Sequence, residues 1–172
     1  MPESRNVHPG GMRLGVIGVM TVVVLALVNV QISGKERIVE EGTTVLLQLA
    51  PIDPRSLLQG DYMALRYAMA DEVAQAAEAA GVRDGTVVIE LDENREAGFL
   101  SIHEGEALAT GQHLLQFRKR GETVRLASDA FFFEEGQEEA YRPARFGELR
   151  VGEDGAAVLI GLRDEQYTVM GR

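Results

Sequence analysis

The hydrophobic pattern divides the chain into a continuous apolar stretch near its beginning and an alternating pattern afterwards. Residues 14–28 carry no charge, and the apolar character continues to Ile32. A helix over residues 14–32 would be about 28 Å long, close to the thickness of the hydrocarbon core of a bilayer. The pattern therefore predicts a cytoplasmic tail at residues 1–13 and a transmembrane anchor at residues 14–34 that contacts the lipid bilayer through residues 14–32.

A cleaved signal peptide is the alternative interpretation of this stretch. Signal peptides have a shorter apolar run and small residues at a cleavage site. Residues 26–34 read ALVNVQISG, which lacks an Ala-x-Ala signature. The sequence favours an uncleaved anchor over a cleaved peptide.

The orientation of the anchor depends on the basic residues that flank it. Arg5 and Arg13 precede the apolar stretch, whereas Lys35 and Arg37 follow it, so the count of basic residues is even. A short basic tail before an anchor is typical of a signal-anchor, which translocates the part of the chain that follows. We expect residues 35–172 to lie outside the inner (cytoplasmic) membrane, in an extracytoplasmic compartment that is the periplasm if the cell is Gram-negative.

Beyond the anchor, short alternating segments separated by polar turns predict strands. Residues 71–80, with acids in the first turn and Gly81 after the end, predict a helix. Three consecutive Phe residues at 131–133 predict a buried strand. The acidic run at residues 134–139 that follows predicts a turn or a short helix. The predicted strands are 37–49, 61–68, 86–91, 97–103, 112–118, 123–127, 131–133, 149–151 and 156–162.

The order of these elements predicts the fold class. The chain lacks the regular alternation of strands and helices that builds a parallel sheet. We therefore expect a mainly β (α+β) protein: an anchor followed by one mostly antiparallel β-sheet or partial barrel with one or two short helices.

Composition excludes several classes of function. The chain has 17 Lys and Arg against 27 Asp and Glu, a formal charge of −10. A nucleic acid or an anionic membrane surface needs clustered basic residues to replace its counterions, so neither is an expected partner. The absence of Cys excludes disulfides and thiolate metal sites.

The sequence offers no convincing catalytic group. A serine-lysine dyad needs a buried Lys, but Lys35 adjoins the anchor and Lys119 lies in a predicted hairpin turn. Ser101 and Ser128 lack the glycines of a nucleophile elbow. We expect no catalytic residue, although an envelope hydrolase with an unrecognised site stays as a remote alternative.

Two groups of residues resemble metal ligands only weakly. His103 and His113, with Glu104, would approach each other if they lay on adjacent strands. The acids of residues 134–139 lack the alternating oxygen ligands of a calcium loop. Surface histidines and a solvated turn are the favoured interpretations, so we expect no metal and no cofactor, and a module that binds a small ligand or a cation stays open as an alternative.

Residues 60–67 read GDYMALRY, which fits the pattern Gly-Asp-Tyr-x-x-Leu-x-Tyr, and residues 51–55 read PIDPR. The chain therefore resembles the GDYXXLXY family, a group of bacterial membrane-anchored proteins without an established biochemical activity. In that family an aromatic strand ends in a Pro-Glu-Gly turn, whereas here Glu134 stands in the place of the Pro. The resemblance implies a polytopic membrane protein as the partner.

The motif has a structural and a functional interpretation. In the structural one, Gly60 and Asp61 form a bend before a central strand, whose Leu65 and Tyr67 are buried while Tyr62 lies on the opposite face. In the functional one, an exposed polar cluster of Asp53, Arg55, Asp61 and Tyr62 contacts the partner. The candidate site residues are Asp53, Arg55, Gly60, Asp61, Tyr62, Leu65 and Tyr67.

Overall fold

The computed structural model describes residues 9–51 and 62–171. The chain divides into two compact units, Met1–Arg37 and Ile38–Arg172. Helix α1 (Pro9–Glu41) contains the predicted anchor. Its segment Gly15–Glu41 is long and apolar enough to cross a membrane by length and composition, criteria that a signal sequence also meets.

The prediction of a strand over residues 37–49 was wrong for its first part. Helix α1 continues to Glu41, and strand β1 begins only at Thr43. Residues 35–41 read KERIVEE, in which the Lys, Arg and Glu are strong helix formers. The helix ends where the N–H of Gly42 donates to the carbonyl of Ile38 at 2.9 Å, and a Cβ atom on Gly42 would collide with that carbonyl oxygen.

The second unit contains nine described strands and two described helices. Helix α2 (Ala70–Ala79) confirms the predicted helix, and the short helix α3 (Glu138–Tyr141) begins within the acidic run at residues 134–139. The strands are β1 (Thr43–Gln48), β2 (Tyr62–Ala64), β3 (Asp84–Leu91), β4 (Ala97–Ile102), β5 (Gln112–Arg120), β6 (Thr123–Arg125), β7 (Ala130–Phe132), β8 (Phe146–Val151) and β9 (Ala157–Arg163).

The strands form two main sheets and a two-stranded ribbon. The sheets have the orders β1-β8-β9 and β4-β3-β5-β6, the ribbon is β2-β7, and every ladder is antiparallel. A parallel bridge between Leu46 and Glu96 joins the two main sheets, which together form a half-barrel. This arrangement confirms the predicted fold class, with the strands shared among three sheets rather than one.

Two hydrophobic cores hold this unit together. The first lies between the two main sheets and helix α2, and its largest fully buried side chains include Leu47, Ile89, Leu115 and Leu149. The second lies beneath the β2-β7 ribbon. It contains Met63, Leu65, Tyr141, Ala144 and Leu162.

The β2-β7 ribbon differs from two predictions. In the described part of the predicted strand 61–68, only Tyr62–Ala64 forms a strand, and that strand pairs with β7 alone, so the motif strand is not a central strand. Tyr67 forms an isolated bridge to Leu49. The predicted strand 131–133 is not fully buried, because Phe132 is 73% exposed. Side chains alternate along a strand, so Phe131 and Phe133 pack on the second core while Phe132 faces outward.

Candidate functional site

The described part of the chain contains three of the seven candidate site residues. Asp53, Arg55, Gly60 and Asp61 lie outside the described residues. Tyr62 begins strand β2, and Leu65 and Tyr67 follow that strand.

The predicted alternation of the motif side chains is confirmed. Met63, Leu65 and Tyr67 are buried, with exposed fractions of 3%, 8% and 4%, whereas Tyr62 is only half-buried and Arg66 is exposed. Met63 and Leu65 pack in the second core, and Tyr67 packs in the first. The motif therefore runs from one core to the other.

Tyr67 is held by a hydrogen bond of its hydroxyl and by close packing of its ring against the backbone at Gly147. Its hydroxyl donates to the carbonyl of Ser128 at 3.0 Å. Burial, with a smaller contribution from the carboxylate of Asp129, raises the pKa of Tyr67, so the hydroxyl remains protonated. A Cβ atom on Gly147 would lie 3.1 Å from Cε1 of this ring, so the ring depends on a glycine in β8 that the sequence motif does not include.

Backbone bonds attach the motif to strand β1. The N–H of Ala50 donates to the carbonyl of Arg66 at 2.7 Å, and the N–H of Ala68 donates to the carbonyl of Gln48 at 2.9 Å. Arg66 also forms an ion pair with Asp71 at 2.7 Å, but both side chains are mostly exposed, and such pairs contribute little to stability. Backbone hydrogen bonds and buried side chains therefore hold the motif in place within the β-rich unit.

The outward face of the ribbon carries an aromatic pair, Tyr62 and Phe132. These residues are directly opposite in the ladder, and their ring centroids are 5.8 Å apart. On the inner face, Phe131 and Phe133 lie 5.1 and 5.2 Å from Tyr141. The inner rings fix the ribbon in place, so the outer pair presents apolar surface from a supported backbone.

The structure separates the two histidines. Strand β3 lies between β4 and β5, so the hypothesis that His103 and His113 lie on adjacent strands is wrong. Nδ1 of His103 instead lies 3.3 Å from a carboxylate oxygen of Glu106. Backbone N–H donors, including that of Glu104, lower the pKa of Glu106. Among the described residues, no group of three or more His, Asp or Glu side chains is placed to hold a metal ion.

Two of the groups considered for catalysis, Lys119 and Ser128, have other partners. Lys119 lies in strand β5 rather than in the turn, and its Nζ is 3.2 Å from a carboxylate oxygen of Glu78. The hydroxyl of Ser128 donates to the carbonyl of Ala130 at 2.7 Å. These contacts give both side chains local structural roles.

An open hollow of about 450 Å³ lies beside the β3-β4 hairpin. Its lining combines aliphatic side chains with three carboxylates, those of Glu90, Asp92 and Glu96. The hydroxyl of Tyr167 approaches one oxygen of Glu96 at 3.3 Å. The sequence patterns gave no indication of this hollow, because its lining comes from both strands of the hairpin.

Comparisons with known proteins give one family. A family model described as "GDYXXLXY protein" matches residues 24–162, which is most of the chain. No curated protein and no solved structure matches the chain.

Proposed function

Because the chain belongs to the GDYXXLXY family, we propose that it is a single-span accessory subunit of a membrane protein complex. In this proposal helix α1 is an uncleaved anchor in the inner membrane, and the β-rich unit is extracytoplasmic. The length and apolar composition of Gly15–Glu41 support a membrane-spanning helix, and an extracytoplasmic β-rich unit is the orientation of a signal-anchor. The partner is a polytopic membrane protein, and the chain contributes contact rather than catalysis.

The aromatic pair of Tyr62 and Phe132 carries the proposal. Aromatic residues are enriched where protein interfaces concentrate their binding energy. Phe132 is the most exposed large hydrophobic residue of the described β-rich unit, and it lies beside the first described residue of the motif. The surface of the partner that contacts this pair is an apolar patch on one of its extracytoplasmic loops.

Affinity purification of the full chain from detergent-solubilised membranes tests the proposal. We expect a multi-span protein to co-purify in stoichiometric amount with the wild type and to be reduced at least tenfold with Phe132→Ala. Leu100→Ala, which shortens an exposed aliphatic residue on β4, is the matched control and should retain the partner. Recovery of the chain alone, or equal recovery with both variants, would contradict the proposed contact.

A further inference from the structure

The outer face of the β1-β8-β9 sheet is covered, although an antiparallel sheet often leaves one face in water. Val45 and Leu149 point from this sheet into the first core. The other face of the sheet carries Leu46, Phe146 and Glu148, which alternate along their strands with the residues that face the core. All three of these side chains are nevertheless buried. The segment that follows β9, together with the turn before β4, provides the cover.

Tyr167 is the central residue of that cover. Its ring stacks on Phe146 of β8, with the ring centroids 4.9 Å apart. Its hydroxyl donates to an oxygen of Glu96 at 3.3 Å, and Glu96 is the residue that bridges to Leu46 of β1. Desolvation and the Glu96 carboxylate raise the pKa of Tyr167, so the hydroxyl keeps its proton. Tyr167 therefore connects β8 to the start of β4 across β1.

The backbone of Tyr167 is held in an unfavourable conformation. Its φ is +60°, a region that bulky residues rarely adopt. Nη1 of Arg163 donates to its carbonyl at 2.9 Å. The same guanidinium donates to both carboxylate oxygens of Glu148, at 2.9 and 2.8 Å. Such a conformation persists only where several contacts enforce it.

The join between β1 and β4, which we call the seam, has little backbone support of its own. The β1-β8 ladder pairs six residues of each strand, and the β3-β5 ladder pairs seven residues of each. In the described chain, the seam consists of a single parallel bridge between Leu46 and Glu96, in which the N–H of Leu46 donates to the carbonyl of Arg95 at 2.8 Å. Segments with few backbone bonds open locally more readily than ladders do.

We propose that Tyr167 is a latch for this seam, and that the seam opens as a local unit while the ladders of the two sheets stay closed. Release of the ring and the hydroxyl removes the contact that spans β1 and lets the backbone leave its positive φ. Opening frees the N–H of Leu46 and the adjoining edge of β4. This conformational device is independent of the proposed partner contact.

Amide hydrogen exchange of the full chain in detergent micelles, read residue by residue, tests the latch. Tyr167→Phe removes the bond to Glu96 and keeps the stack on Phe146. We expect the Leu46 amide to exchange about fivefold faster, the factor that corresponds to one hydrogen bond of ordinary net strength. The protected amides of β3 and β5 should keep their rates. Gln166→Ala, an exposed position in the same segment, is the matched control and should leave Leu46 unchanged.

Tyr167→Ala also removes the stack, and we expect at least tenfold faster exchange at Leu46. An unchanged Leu46 rate in Tyr167→Phe would overturn the latch. An equal acceleration in β3 and β5 would also overturn it, because Tyr167 would then contribute only to global stability. Tyr167→Phe decides the question if the Ala variant fails to fold.

Discussion

The ring of Tyr67 occupies the space above Gly147 that a side chain would otherwise fill. A Cβ atom there would lie 3.1 Å from Cε1 of Tyr67 and 3.3 Å from Cδ1 of Leu159. Both neighbours belong to packed regions, Tyr67 in the first core and Leu159 against both cores. The last position of the motif thus depends on a glycine in β8.

Gly147→Ala should therefore destabilise the β-rich unit by about 1 to 3 kcal/mol, the usual cost of overpacking. Thermal or denaturant unfolding of the purified full chain measures this change. Gly98→Ala is the control, because a Cβ atom at Gly98 would meet only a carbonyl oxygen at 3.9 Å. Equal stability of the two variants would show that the Tyr67 ring moves aside at little cost.

Leu65→Ala and Tyr67→Ala should each lower the free energy of unfolding by roughly 2 to 5 kcal/mol, from lost burial and the cavity left behind. Tyr62→Ala and Arg66→Ala should have smaller effects, because neither side chain is buried. Denaturant unfolding of the four variants compares them directly. Four equally mild effects would contradict the burial of the motif face.

Alkaline pH should weaken the fold through Tyr67. Its pKa is raised in the folded state, so its contribution is fully present below its ordinary pKa of about 10 and is lost as the pH rises toward the folded value. Tyr67→Phe cannot ionise, and its stability should fall less steeply above about pH 10. Tyr167, whose pKa is also raised, contributes in the same direction in both proteins. Parallel stability curves for the wild type and Tyr67→Phe would contradict this prediction.

Alkaline phosphatase fused after Arg172 should be active, because we expect the β-rich unit to be extracytoplasmic. The enzyme folds only after export, so its activity reports the side of the membrane. A fluorescent protein of the cytoplasmic type at the same position should stay dark. An inactive phosphatase with a bright fluorescent fusion would reverse the proposed topology.

Single alanine substitutions at the polar candidates should leave function intact where the protein remains folded. An enzyme concentrates its rate enhancement in a few groups, whereas a contact protein distributes its energy over a surface. Complementation of a deletion strain, with protein abundance measured in parallel, provides the readout. The positions are Ser101, Ser128, His103, His113, Lys119 and Asp53. Loss of complementation at normal protein abundance in one of these variants would contradict the non-enzymatic proposal and mark the surroundings of that residue as the place to look for a site.

Asp61→Ala is expected to behave differently from those substitutions. The sequence predicts that Asp61 accepts backbone bonds in the bend before β2. The variant should therefore lose function together with protein abundance. Loss of function at full abundance would instead favour a partner contact by this residue.

Local patterns in the sequence were sufficient for the apolar helix, for helix α2 and for two hairpins, which join the predicted strand 112–118 to 123–127 and the predicted strand 149–151 to 156–162. Each of these depends on residues close together in the chain: a continuous apolar run, acids followed by Gly81, or two alternating segments around a polar turn. The burial of Leu65 and Tyr67 also followed from the period of a strand. The motif could be assigned to its family for the same reason, because it is one contiguous string.

Only the tertiary structure decided where these elements meet. No local pattern links Tyr67 to Gly147, Tyr62 to Phe132, or Tyr167 to Glu96, since each pair joins distant parts of the chain. The ribbon and the seam arise from which strands pair, and strand pairing depends on long-range packing rather than on propensity. The sequence alone determined the apolar helix, helix α2, most of the strands and the buried face of the motif, while packing between distant segments created the aromatic pair and the contacts of Tyr167.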